Sequence, residues 1–353
     1  MKTGIVMGVL GVVCGLSDGQ VFQTITPPAD YSLLRAEGLS YNGEVVAGVT
    51  LGDDMAHPIV GFFGPPQSVI GLNGPNDPTR TTIVALSGNA EYQVGHSFDF
   101  NSGTEQAFRR DSSGMYVNIP RLTAGHHFNK GLDVSADGRR VVGYSGSGSG
   151  SRERNEAFLW DEDRGLIPLG QLDPDPVITR ALSISADGNT VVGFTNPTDL
   201  GRREGFVWTA ATGMTRRYQV DGTPSYEIAG VSGDGRFVTG DSHRWDNGEP
   251  LYLGRLPGYE SRVGFVNEMS DDGSVIIGNY DYSSPENPDR AYVWTEEGGI
   301  ASWTPTSTPT GQRSRLVGNL PKYGLFQATA APSRGGPGTR WASGACSSPP
   351  SPP

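Results

Sequence analysis

The feature that most constrains this chain is a repeat. A serine precedes an Asp-Gly or Asn-Gly type turn at Ser40, Ser87, Ser135, Ser185, Ser232 and Ser270, spaced 47, 48, 50, 47 and 38 residues apart. A glycine stands eight residues after each serine, at Gly48, Gly95, Gly143, Gly193, Gly240 and Gly278. A fixed period of this length means one supersecondary unit copied along the chain, so the period must be read before any motif.

The fourth copy shows the unit. "RALSIS" and "TVVGFT" flank the turn "SADGN", and "EGFVWT" and "GMTRRYQV" follow. Asp187 and Gly188 suit turn positions with positive φ, and the Ser185 hydroxyl can bond the turn backbone. Each unit thus reads as four short strands joined by tight turns. Four strands of about five residues with their turns fill about 45 residues, which matches the period. "TVVGF" and "GFVW" are apolar on both faces, as suits a sheet sandwiched between neighbours. The expectation is an all-β β-propeller of four-stranded antiparallel blades, with six repeats and a degenerate seventh blade. Phe206 and Trp208 should enter one layer between blades and Val207 the other. Gly193 should sit where backbone or a ring approaches closely.

The residues that define the unit are Ser135, Asp137, Gly138, Gly143, Phe158 and Trp160 in the third copy. They are Ser185, Asp187, Gly188, Gly193, Phe206 and Trp208 in the fourth, and Ser270, Asp272, Gly273, Gly278, Tyr292 and Trp294 in the sixth. The fifth copy is short. "EPLYLGRLPG" reads there as a direct join, with residues missing at the third-to-fourth strand turn and no strand-three aromatic-Trp pair. The boundaries predicted are 31–75, 76–122, 123–172, 173–222, 223–258 and 259–303, inside a repeat domain of 21–303.

The unit resembles the HAF-type extracellular repeat family. Ser185, Asp187, Gly188, Gly193, Phe206, Trp208, Gly213 and Met214 carry the resemblance, which covers Tyr31 to Trp303. Departures are Asn42 and Asn89 for the turn Asp, Ala90 for a turn Gly and Arg110 for a strand Trp. The resemblance implies a secreted or surface-exposed bacterial protein and is silent on biochemistry.

The two ends read differently. Lys2 followed by the apolar run Ile5 to Leu16 reads as a signal peptide over 1–20, because the run is too short to span a bilayer as a helix. Val21 to Thr26 reads as a fourth strand without a preceding partner, expected to pair near the C-terminus. Tyr323 to Ala330 resembles a first strand, with Phe326 to Ala330 a candidate partner for Val21 to Thr26, and the rest of 304–353 reads as a degenerate final blade and a disordered Pro/Gly/Ser-rich tail.

Composition then narrows function. The 353 residues include 51 Gly and 26 Pro, and the net charge of −11 disfavours a phosphate backbone, so nucleic acid is not an expected partner. The two cysteines, Cys14 and Cys346, lie outside the repeats, so no disulfide framework is expected. No membrane span is expected.

The histidines are His57, His96, His126, His127 and His243, and none has metal-site spacing. "SGSGSGS" at Ser145–Ser151 reads as a flexible loop, and "WDEDRG" at Trp160–Gly165 as a solvated edge. No catalytic, cofactor or metal residues are expected. The reading is a noncatalytic, monomeric extracellular scaffold binding an unidentified protein or glycan through its loops. The alternative is a propeller hydrolase or lyase acting on extracellular glycans. Acids, His or Arg converging on one cavity would favour the alternative.

Overall fold

A computed structural model of the chain describes residues 9–12, 34–40, 44–50, 61–65, 70–72, 80–99, 101–148, 153–172, 176–197, 203–260, 264–280, 290–302, 314–316 and 325–330. The described residues are all-β and contain no helix.

Of the 27 strands among the described residues, 24 fall into six groups of four. The first is Leu34–Leu39, Val46–Thr50, Gly61–Gly64 and Ile70–Leu72. The second is Thr81–Leu86, Tyr92–Asp99, Thr104–Asp111 and Tyr116–Asn118. The third is Phe128–Val134, Arg140–Ser147, Arg154–Asp161 and Gly165–Pro168, and the fourth Pro176–Ile184, Thr190–Pro197, Glu204–Thr209 and Gly213–Arg216. The fifth is Gly230–Val231, Phe237–Gly240, His243–Asp246 and Glu249–Tyr252, and the sixth Phe265–Met269, Val275–Tyr280, Arg290–Thr295 and Gly299–Ser302. Within each group neighbouring strands run antiparallel. The second, third and fourth groups join into one 12-stranded sheet through single parallel bridges, Phe128 to Glu105 and Asn155 to Ile178.

One turn chemistry repeats at the head of the groups. In the third, Ser135 Oγ donates to Asp137 Oδ1 at 2.6 Å, while the Arg139 and Arg140 amides donate to Asp137 Oδ1 and Ser135 Oγ at 3.0 and 3.1 Å. Gly138, Gly188, Gly235 and Gly273 take the positive φ this turn needs; Asp187 does not. Ala90, which replaces the glycine in the second group, is held at φ 60°. The turns are then sewn to one another. Gly88 N donates to Ala136 O, Ala136 N to Ala186 O, Asp187 N to Gly233 O, and Gly233 N to Asp271 O, all within 3.1 Å.

The core lies between the groups. Phe206 and Trp208 pack with Val142, Leu159 and Leu169 on the side of the third group. Val207, one residue between them, packs with Val231, Val238 and Trp245 on the side of the fifth. Alternation along a strand sends successive side chains to opposite faces, and here both faces meet a neighbouring sheet. Phe158, Trp160, Tyr292 and Trp294 are buried in the same way. Glycine opposite the ring is required by contact: an added Cβ at Gly143 would lie 1.8 Å from Lys130 O, and at Gly193 2.0 Å from Arg180 O.

Three readings are corrected. The fifth group keeps its third strand, His243–Asp246, and its tryptophan is Trp245, wholly buried. Its missing residues are at the second-to-third turn, reduced to Asp241 and Ser242 between the paired Gly240 and His243. Ser145, Gly146 and Ser147 belong to a strand, because they pair with Glu156, Asn155 and Arg154. Asp161 is buried, not solvated, where it receives Arg140 Nε at 3.0 Å.

Val21 to Thr26 and most of 304–353 lie outside the described residues. The described chain ends do pair: Val9–Val12 runs antiparallel to Leu325–Ala330, which pairs with Ser314–Leu316.

Candidate functional site

The turn residues singled out from the sequence are structural. Their side chains are spent on the turn itself, and the aromatic ones on the layers between groups. None of Ser135, Asp137, Ser185, Asp187, Ser270 or Asp272 lines the cavity described next. Among the described residues no group of three or more His, Cys, Asp or Glu side chains is placed to hold a metal ion. His126 is bound to Ser145 Oγ at 2.9 Å, and burial holds its imidazole below the usual value.

A cavity of about 520 Å³ opens where the fifth group meets the sixth. Gln219, Val220, Asp221 and Tyr226 come from the connection between the fourth and fifth groups. Asp241 comes from the shortened turn, His243 and Tyr252 from strands of the fifth group, Arg255 from the segment after it, and Phe265 from the sixth group.

The shortened turn is the unusual part. Asp241 and Ser242 both have left-handed backbone, φ 47° and 62°, in a two-residue hairpin. That conformation is costly for residues other than glycine and persists only where the surroundings enforce it. Here they do. Ser242 O accepts from Leu253 N at 2.9 Å, Ser242 Oγ donates to Gly264 O at 3.3 Å, and His243 Nδ1 lies 2.9 Å from Asp241 O. Facing a carbonyl, Nδ1 must carry the proton.

The two acids of the cavity sit in opposite environments. Burial pushes the Asp241 carboxyl above the usual carboxylate range. The Tyr226 amide, the Ser225 hydroxyl at 2.9 Å and the Glu227 amide at 3.3 Å oppose that push, and all three reach Oδ2. Asp221 is exposed, and the Thr223 hydroxyl and amide, at 2.7 and 2.9 Å, hold its carboxyl below the usual range. Behind Asp241, burial also raises Glu227, which pairs with Arg203.

Apolar faces frame these groups. Tyr226, Tyr252 and Phe265 are exposed, 42%, 42% and 49% respectively, although each is a large hydrophobic side chain. Arg255 lies 6.0 Å from the Tyr252 ring. The cavity therefore combines a carboxyl raised by burial, a carboxyl held low by its hydrogen bonds, a guanidinium and flat rings, groups able to exchange protons with a bound molecule and to stack on it.

Of these groups the sequence pointed only to His243, as one of five histidines. The available signal was the short fifth interval: a deletion at a strand turn of a repeat changes what stands at the sheet's end.

No family model and no curated protein sequence matches the chain. Solved structures do match. An oligogalacturonate lyase in complex with manganese is similar at 15% identity and TM-score 0.53, covering 94% of this chain and 99% of that one. A prolyl endopeptidase is similar at 11% identity and TM-score 0.52, covering 89% of this chain and 52% of that one. TolB from Acinetobacter baumannii matches at 14% identity and TM-score 0.45, over 74% of this chain and 63% of that one. The chain thus spans about half of the endopeptidase and under two thirds of TolB. At these identities the likeness to the lyase and the endopeptidase shows the fold alone, a β-propeller.

The expectation of a noncatalytic scaffold is corrected here. The lyase and the endopeptidase are enzymes on this fold. Acids, His or Arg converging on one cavity were the feature that would favour the enzyme alternative, and Asp221, Asp241, His243 and Arg255 line one cavity.

Proposed function

We propose that this chain is a propeller enzyme that cleaves extracellular glycans, with the cavity between the fifth and sixth groups as its active site. The observation that carries the reading is the pair Asp221 and Asp241, two acids on one cavity with protonation biased in opposite directions. Glycosidic cleavage needs such a pair: one carboxylic acid to protonate the leaving oxygen, one carboxylate to attack or to activate water. Asp241 takes the first role through Oδ1, since the hydrogen bonds it receives end on Oδ2. Asp221 takes the second. Tyr226, Tyr252 and Phe265 offer flat faces to the apolar side of sugar rings.

A second reading, a lyase, is supported by Arg255 at the same cavity, whose guanidinium suits a uronate carboxylate. The end-to-end similarity to an oligogalacturonate lyase agrees with it in fold. That relative was solved in complex with manganese; among the described residues here no group of three or more His, Cys, Asp or Glu side chains is placed to hold a metal ion.

In this reading the six groups are the blades, supported by the core layers between them. Export is part of the proposal, supported by Lys2 and the apolar run Ile5 to Leu16. So is membership of the HAF-type repeats.

The test is incubation of the purified protein with neutral polysaccharides and with polyuronates. New reducing ends without ultraviolet absorbance indicate hydrolysis, and absorbance of an unsaturated uronate indicates elimination. Asp241→Asn and Asp221→Asn should each lower the rate by about 100-fold or more. Lack of cleavage across the panel, or full activity in both variants, would overturn the proposal.

A further inference from the structure

One register position recurs in every group: the residue paired with the conserved glycine. It is Phe62 opposite Gly48, Phe108 opposite Gly95, Phe158 opposite Gly143, Phe206 opposite Gly193 and Tyr292 opposite Gly278. All five rings are essentially wholly buried. In the fifth group the position is His243, opposite Gly240, and it too is buried, at 4% exposure.

An aromatic ring is all that packing asks of this position. An imidazole there is costly, because His243 Nε2 is buried without a hydrogen-bond partner among the described residues. What the imidazole adds is Nδ1, which donates to Asp241 O at 2.9 Å. The carbonyl that receives it belongs to the first residue of the strained turn, and the side chain of that residue enters the cavity. The substitution to histidine and the deletion that made the turn therefore meet at Asp241.

We propose that His243 is a positioning residue, whose Nδ1–H bond to the Asp241 carbonyl holds the Asp241 carboxyl in its half-buried place in the cavity. The inference rests on the proposed reaction for its purpose, though not for its test. The titratable groups that face Asp241 are Glu227 from the connection before the fifth group, His243 itself and Tyr292 of the sixth group; Asp221 and Arg255 share the cavity.

The test follows the Asp241 carboxyl in the free protein by carboxyl-carbon NMR, with Asp241→Asn assigning the signal. Its midpoint is compared in wild type, His243→Phe, His243→Asn and His243→Gln. Phenylalanine restores the ring of the other groups and removes the bond. Loosening the turn hydrates the carboxyl, so the midpoint should fall by about one unit or more. Loss of an imidazolium charge alone would move it up, which makes a fall the signature of positioning. Asparagine places an amide where Nδ1 sat and should keep the wild-type midpoint; glutamine places it at Nε2 and should not.

A midpoint unchanged or raised in His243→Phe overturns the inference. If that variant does not fold, equal midpoints in the asparagine and glutamine variants overturn it. A fall in the midpoint with no glycan cleaved by the wild-type protein leaves the positioning role standing and removes the reaction.

Discussion

Arg244 Nη1 donates to the carbonyl oxygen of Gly273 at 3.0 Å, tying the third strand of the fifth group to the Asp-Gly turn of the sixth. Its guanidinium lies 4.5 Å from the Phe237 ring and 4.9 Å from the Trp294 ring. Arg109, at the same register position in the second group, repeats the arrangement on Gly138 O, at 2.8 Å, with Tyr92 and Trp160. Arg244→Ala should cost about 2–3 kcal/mol, since it removes a charged hydrogen bond and two ring contacts. Arg244→Val should cost less, because Val207 and Val293 fill this position in other groups. Urea denaturation measures both, and an Arg244→Ala variant as stable as wild type would discard the staple.

The turn aspartates predict an acid limit. The Arg236 amide and the Ser232 hydroxyl hold the Asp234 carboxyl below its usual range. A depressed carboxyl contributes stability that is full above the unfolded value of about 3.9 and is lost as pH falls through the folded value. Asp234→Asn should therefore lose less stability than wild type between about pH 7 and about pH 3. At neutral pH it should cost under about 1 kcal/mol, for Asn89 already accepts the equivalent bonds from Ser87 Oγ and Glu91 N at 3.0 and 3.1 Å. Denaturation curves at the two pH values check this.

Gly143→Ala should cost more than about 3 kcal/mol or prevent folding, because the new methyl would meet the Lys130 carbonyl at 1.8 Å. Gly165→Ala is the comparison. Its surroundings are open but its φ is 76°, so its cost should stay near 1 kcal/mol. Similar losses at the two positions in thermal melts would contradict the close approach.

Trp208 is 9% exposed and packs against the third group. Trp208→Ala should lower stability by about 3–5 kcal/mol, as large core truncations do. A chemical-denaturation loss below about 1 kcal/mol would mean that the layer repacks around the gap.

If Asp241 is the acid and Asp221 the base, kcat/KM is bell-shaped in pH. The acid limb follows Asp221 and lies below the usual carboxylate value; the alkaline limb follows Asp241 and lies above it. In the residual activity of the variants, Asp221→Asn should abolish the acid limb and Asp241→Asn the alkaline one. Unaltered limbs in the variants would reassign the roles.

The sequence by itself determined the repeat, the four-strand unit, the Ser-Asp-Gly turn and the split of Phe206 and Trp208 from Val207. These are local properties: hydrogen bonds across five residues, and an alternation that sends neighbours to opposite faces. It misplaced the deletion in the fifth copy because "HRW" carries no phenylalanine, although Trp245 keeps the register. Only the tertiary structure decided the cavity. Asp221 and Asp241 are twenty residues apart in the chain, and Phe265 belongs to another group. What brings them together is the shortened turn, which leaves a gap at the seam and buries Asp241 beside it. The bias in its protonation comes from that burial, a property of the packed surroundings and not of the residue or its sequence neighbours.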